Sequence, residues 1–201
     1  MGFVIYGVLA LYLIVSIIVV IITVRGAKKR GKSLWLWGIG AALVMYLIPF
    51  WDWIPTVVAH KYYCSTEAGF WVYKTPQQWK AENLGEFENL TSFITKNSAP
   101  SERNGDMENY TDTYFLNQRF TWIVKHNGKF FPNLWRHEQE VIDIKTNEVL
   151  ARYVDFSTSQ ERRQAGLSGW KFWLYNEHCS GGDINQSKIR QFRNGFTRRD
   201  K

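Results

Sequence analysis

Residues 3–24 read FVIYGVLALYLIVSIIVVIITV and contain no charged side chain. They are followed by RGAKKRGKS at 25–33 and by a second apolar stretch, LWLWGIGAALVMYLIPFW, at 34–51. A helix that crosses the hydrocarbon core of a membrane needs about 20 predominantly apolar residues. The two stretches therefore predict a transmembrane helical hairpin within residues 1–55, with helices at about 3–24 and 34–51.

The segment between the two stretches is basic and contains no acidic residue. Cytoplasmic loops of membrane proteins are enriched in Lys and Arg, so we expect 25–33 to lie in the cytoplasm and both ends of the chain to lie outside. The residues that determine this topology are Arg25, Lys28, Lys29, Arg30 and Lys32. A cleaved signal peptide is the competing interpretation, but it usually has basic residues before a shorter apolar core.

The net charge of +7 follows largely from this basic loop. It holds five of the 25 Lys and Arg residues, and the others nearly balance the 18 Asp and Glu residues. The charge therefore gives little support for a nucleic-acid partner. Residues 188–201 are again basic and are interpreted as a solvated C-terminal tail, with attraction to anionic head groups as the alternative.

Residues 56–187 are long enough for one globular domain on the far side of the membrane. Thr75-Pro76-Gln77-Gln78 is typical of a helix start with a capping box, and a second short helix is expected at 86–96. An apolar-polar alternation predicts a strand at 113–125, followed by a tight turn at His126-Asn127-Gly128-Lys129.

Further strands are expected at about 138–145, 148–157 and 170–176. The predicted fold is thus membrane-anchored α+β, in which an N-terminal transmembrane hairpin precedes an antiparallel β-meander with one or two short helices.

The chain has two cysteines, Cys64 and Cys179, and both lie in the predicted outer domain. An even number of cysteines in an oxidising compartment favours a disulfide. The alternative is a zinc site in which His60 and His178 join the two cysteines as ligands. No C-x-x-C pair supports it, and we expect no resident metal or cofactor.

No established catalytic or nucleotide-binding motif is present. Side chains that could act as acids or bases are scattered, and we assign none of them to catalysis: His60, Glu67, His126, His137, Glu138, Glu140 and Glu177. Exposed Trp and Tyr often anchor protein interfaces. The candidate partner surface comprises Tyr62, Tyr63, Phe70, Trp71, Tyr73, Trp170 and Trp173, for which packing in the core is the alternative.

The stretch WDWIPTVVAHKYYCSTEAGFWVYKTPQQWKAEN at 51–83, with VLARYVDFS at 149–157, resembles an uncharacterised group of bacterial inner-membrane proteins with two N-terminal helices and an outer domain. The resemblance implies a location in the bacterial inner membrane, with the domain in the periplasm, and it implies no activity.

We therefore expect a non-enzymatic interaction or accessory module of an envelope assembly, with the lipid bilayer and a membrane or periplasmic protein as partners. An extracytoplasmic ligand-binding or sensing module is the alternative, and a periplasmic enzyme is the third hypothesis.

Overall fold

The computed structural model describes residues 2–91, 100–106, 108–131, 133–158, 177–179 and 181–197. The helices are α1 (Gly2–Lys29), α2 (Leu34–Phe50), α3 (Trp53–Thr66), α4 (Pro76–Glu82) and α5 (Gly182–Asn194). The strands are β1 (Gly69–Val72), β2 (Glu102–Gly105), β3 (Asn109–Phe115), β4 (Phe120–Phe131), β5 (Leu134–Asp143), β6 (Glu148–Thr158) and β7 (Glu177–His178). The strand expected at 170–176 lies outside the described residues.

One described helix is long and apolar enough to cross a membrane by itself. It is the Tyr6–Lys29 part of α1, with a mean hydropathy of 3.0. A signal sequence near an N-terminus would have the same properties. Helix α2 is also apolar, but it meets the length requirement only together with α3, from which it is bent by 59°. The structure thus shows one candidate span, and the second transmembrane helix is not shown.

Helices α1 and α2 nevertheless pack against each other as a hairpin. The Tyr12 hydroxyl donates to the Met45 carbonyl, and Gly38 lies so close to Val24 that an added Cβ would be 3.1 Å from its side chain. Helix α1 continues to Lys29, so three of the five basic residues belong to the helix and the loop begins later than expected. Basic side chains in a last helical turn are favoured by the helix dipole.

The break between α2 and α3 is anchored in the folded domain. Asp52 is buried there, and its carboxylate accepts a hydrogen bond of 2.9 Å from the Asn133 side chain. The Thr56 hydroxyl donates to the Asp52 carbonyl at 2.6 Å. Since Asn133 lies at the reversal between β4 and β5, the hairpin is tied to one end of the sheet.

The strands form one antiparallel sheet in the order β1-β6-β5-β4-β3-β2. Short strand β7 also pairs with β6, beyond the end of β1. The predicted antiparallel sheet with accompanying helices is therefore confirmed, although β1 was not expected as a strand. Residues 92–99, which include the second half of the helix expected at 86–96, lie outside the described residues. The described part contains a single 3₁₀ turn, Phe87–Asn89.

The strand predicted at 113–125 is in fact two strands, β3 and β4, joined by a turn. The Asn117 side-chain carbonyl accepts from the backbone N–H groups of Arg119 and Phe120, each at 2.9 Å. An Asn side chain that bonds to the backbone two residues later is a turn former, and here it outweighs the continuous alternation of apolar and polar residues.

The tight turn predicted at residues 126–129 is wrong, because β4 continues through it. Gly128 is needed for close packing: an added Cβ would lie 2.7 Å from the Trp135 ring and 2.8 Å from the Glu108 carbonyl oxygen. The chain reverses at Asn133 instead, where φ is 61°. Asn is one of the residues that tolerate this left-handed conformation.

Each face of the sheet buries an apolar cluster. One cluster joins β4, β5 and β6 to α4 and α5, and contains Trp79, Leu116, Phe120, Val141, Leu150, Ala151, Tyr153, Ile189, Phe192 and Phe196. The other contains Leu134, Val154, Phe156 and Cys179, against which the α3 residues Ala59, Tyr63 and Cys64 pack. Alternate residues of a strand point to opposite faces, so α3 and α5 cover opposite faces of β6.

Helix α4 begins as predicted, with Thr75 and Gln78 forming the capping box. The segment interpreted as a basic tail at 188–201 starts inside α5. Ile189, Phe192 and Phe196 are buried in the core. The spacing of Ile189 and Phe192 places them on one face of α5, and Phe196 lies in the turn just after the helix. The density of basic residues concealed this pattern.

Candidate functional site

The predicted disulfide between Cys64 and Cys179 is present, with Cα atoms 5.3 Å apart. Cys64 lies near the end of α3 and Cys179 directly follows β7. The bond therefore joins the segment before β1 to the segment after β7, where the two short strands meet along β6. It also ties together helices that pack on opposite faces of the sheet.

The zinc site proposed as the alternative is only partly assembled. Ligand atoms of His60, Cys64 and Cys179 all lie within 4.8 Å of one another. His178 instead directs its Nδ1 to the Asp155 carboxylate, 2.7 Å away. Because the two cysteines are bonded to each other, neither offers a thiolate to a metal ion in this state. We call the three residues His60, Cys64 and Cys179 the cysteine corner.

A second polar group, the histidine cluster, comprises His126, His137, Asp155, Ser157 and His178. His126, His137 and Asp155 are successive cross-strand partners on β4, β5 and β6. The two Nδ1 atoms of His126 and His137 are 2.8 Å apart, and His137 Nε2 lies 2.8 Å from the Ser157 hydroxyl oxygen. The rings of His137 and His178 are 6.0 Å apart. The sheet thus gathers three imidazoles, a carboxylate and a hydroxyl on one face.

Burial controls the charge of the central histidine. Burial, together with the neighbouring His126, lowers the pKa of His137 to about 4. The His137 imidazole is therefore neutral near pH 7 and able to accept a proton from a hydrogen-bonded group. Asp155 is buried and accepts the Cys179 backbone N–H at 3.2 Å as well as the contact with His178. This arrangement can move a proton or bind a polar ligand.

The aromatic residues of the predicted partner surface fall into two groups. Tyr63 stacks on Phe156, with ring centroids 5.3 Å apart, and Phe70 packs edge-on against Phe192 in the core. Three residues remain at the surface, namely Tyr62, Trp71 and Tyr73, which are 60%, 40% and 59% exposed. Trp170 and Trp173 lie outside the described residues.

The acidic residues considered as acids or bases lie mostly in ion pairs on the α3 side of the sheet. Glu138 is 2.7 Å from Arg152, Glu140 is 2.7 Å from Lys125, and Glu67 is 3.0 Å from Arg136. Burial would raise the pKa of Glu138, but the Arg152 guanidinium outweighs it and holds that pKa below its usual range. These carboxylates are charged partners in a network, and the side chain of Glu177 is not among those described.

Sequence reasoning missed Asp155 and Ser157, and it named His126 and His137 without relating them. Their proximity depends on the pairing register of β4, β5 and β6. A shift of one residue would send a side chain to the other face, so the sequence alone does not show that residues of the three strands meet in this cluster. The sequence VDFS at 154–157 does indicate that Asp155 and Ser157 share one face of a strand, because alternate residues of a strand point the same way.

The chain matches no protein-family model, no curated protein and no solved structure.

Proposed function

We propose that this chain is a membrane-anchored module of the bacterial envelope, which holds its sheet domain in the periplasm and contacts a protein partner without catalysing a reaction. Helix α1 has the length and hydropathy of an anchor, and the basic residues that follow its apolar part favour a cytoplasmic loop. The Cys64–Cys179 bond suits an oxidising compartment. Under this proposal α2 lies beside α1 in the inner membrane.

The observation that carries the proposal is the outer edge of β1. Among the described strands, β1 pairs only with β6, which leaves its other edge available. Trp71 lies on this edge strand, directly opposite Arg152 of β6, and Tyr73 comes just after the strand. Exposed strand edges accept a strand from a partner, and Trp, Tyr and Arg are common interface anchors.

Site-specific photocrosslinking in living cells tests this surface. A photoreactive amino acid replaces Trp71 or Tyr73 in the full chain, and Leu84, which is 86% exposed, provides the matched control position. We expect one discrete crosslinked species from positions 71 and 73 and none from position 84. No crosslink at either position, or the same species at position 84, would refute an interface at the β1 edge.

The histidine cluster favours a second candidate function, an extracytoplasmic sensing or ligand-binding module. Three imidazoles beside a buried carboxylate on one face of the sheet supply hydrogen-bond donors and acceptors that can bind a polar ligand. The discriminating measurement is the cellular crosslink from Trp71, repeated with a His126→Ala or His137→Ala substitution. If the partner interaction is the whole function, the crosslink persists. If the cluster senses a signal that controls the interaction, the crosslink is lost while the domain remains folded.

A further inference from the structure

The cysteine corner contains a third side chain that the disulfide does not use. His60 precedes Cys64 by four residues on α3, so the two side chains lie one above the other on the same helix face. His60 Nε2 is 3.3 Å from Cys64 Sγ. His60 and Cys179 are both only 7% exposed, so the corner is largely shielded from water.

We propose that reduction of the Cys64–Cys179 bond converts this corner into a zinc-binding site with His60, Cys64 and Cys179 as ligands. In the reduction, a dithiol supplies two electrons and two protons, the S–S bond breaks, two thiols form, and the dithiol leaves as its own disulfide. Zinc then replaces the two thiol protons. This inference concerns a second state of the corner and does not depend on the proposed partner.

The distances fit the geometry of a zinc site. All three ligand atoms already lie within 4.8 Å of one another. Zinc binds thiolate sulfur at about 2.3 Å and imidazole nitrogen at about 2.0 Å, so two sulfurs on one tetrahedral ion are roughly 3.8 Å apart. The Cα separation of 5.3 Å permits that spacing once the bond is broken, because rotation of the side chains moves the sulfurs apart.

His60 can change its role without moving far. In the oxidised state Nε2 lies 3.3 Å from the Phe156 carbonyl oxygen, which requires the proton on Nε2. Transfer of the proton to Nδ1 gives Nε2 the lone pair that a metal needs. Three protein ligands leave the fourth tetrahedral position for water or another small ligand, the arrangement found in catalytic zinc sites.

The test uses the full chain in detergent. One sample remains oxidised, and another is reduced with a dithiol and desalted without oxygen. Both are titrated with Zn²⁺ against a chromophoric chelator, and with Co²⁺ to detect thiolate coordination in the absorption spectrum. We expect one Zn²⁺ per reduced chain, at least about 100-fold tighter than in the oxidised chain, because two ligands are released.

Three variants locate the site. His60→Ala should weaken zinc binding of the reduced chain by at least about tenfold, since a direct ligand is lost, while the disulfide still forms in the oxidised state. Cys64→Ser with Cys179→Ser should abolish the difference between the two states. His178→Ala is the matched control and should leave the affinity unchanged, because His178 contacts Asp155 instead.

The proposal fails if the reduced chain binds no stoichiometric zinc, if the oxidised chain binds it equally well, or if His60→Ala leaves the affinity unchanged. Near-ultraviolet circular dichroism accompanies each titration. If reduction alone unfolds the domain, the proposal still predicts that one equivalent of Zn²⁺ restores the native spectrum. A spectrum that remains unfolded with zinc present contradicts it as well.

Discussion

His137 is a residue whose charge state is set first by its burial, and His126, Asp155 and His178 face it within the histidine cluster. Its pKa of about 4 in the folded protein lies below the ordinary histidine value of 6.5. The unfolded chain therefore binds a proton more readily. Above about pH 6.5, His137 is neutral in both the folded and the unfolded chain, and the folded state keeps its full stability. As the pH falls toward 4, protonation of His137 favours the unfolded chain and the unfolding free energy decreases.

A His137→Gln substitution removes this titration. Between pH 7 and pH 4, we expect the wild-type protein to lose on the order of 3 kcal/mol more unfolding free energy than the variant. Urea denaturation at several pH values measures the difference. Parallel losses in both proteins would show that His137 does not carry the pH dependence.

Arg119 and Asp143 form a buried ion pair at 2.5 Å, and the Trp79 indole N–H also donates to Asp143 at 2.9 Å. Removal of one member of such a pair leaves an uncompensated buried charge. We expect Arg119→Met to reduce the unfolding free energy by about 3–5 kcal/mol. The control, Lys145→Met, alters a residue whose side chain is 68% exposed, and its effect should remain below about 1 kcal/mol in the same denaturation assay.

Single residues differ in how far the sequence could predict their roles. The Cys64–Cys179 bond was predictable because the chain has two cysteines and an outer location was expected. The Arg119–Asp143 pair and the histidine cluster were not, because both join parts of the chain that come together only through strand pairing. Such contacts depend on register, which a single sequence does not specify.

Among the described elements, β1 and β7 at one edge of the sheet are the short strands that the disulfide brings together, since both pair with β6. The bridge closes a loop with a sequence separation of 115 residues. We expect Cys64→Ser with Cys179→Ser to lower the unfolding free energy by about 5 kcal/mol on the chain-entropy model. The two chains are compared by urea denaturation under oxidising conditions. A loss well under 1 kcal/mol would contradict a structural role for the bond.

A substitution in β4 tests whether the chain reverses at Asn133, between β4 and β5. A Gly128→Ala substitution places a methyl group against the Trp135 ring and the Glu108 carbonyl, and it should cost about 1–3 kcal/mol. Gly40→Ala in α2 meets nothing within 4 Å and is the control. Thermal denaturation should show a lower Tm for Gly128→Ala than for the wild-type protein, and no such decrease for Gly40→Ala. Equal Tm values would support an open turn at 126–129.

Elements with a local chemical signal were predictable, and those defined by tertiary contacts were not. The capping box located α4, and uninterrupted apolar residues located α1. Helix α3 is not among the elements that the sequence predicts. Its role became apparent only through the Asp52–Asn133 contact and the packing of Tyr63 on Phe156.

At the scale of the whole molecule, we propose that the sheet domain lies on the outer side of the inner membrane. That location would explain the disulfide, the basic segment after the apolar part of α1, and an outer edge of β1 that meets envelope proteins. A reporter enzyme that is active only outside the cytoplasm, such as alkaline phosphatase, tests it directly when fused after Lys201, with a second fusion after Lys32.

We predict an active, full-length fusion at Lys201 that remains in the membrane fraction, and an inactive fusion at Lys32. An inactive fusion at Lys201, or an active fusion released in soluble form without the residues of α1, would contradict a membrane-anchored outer domain.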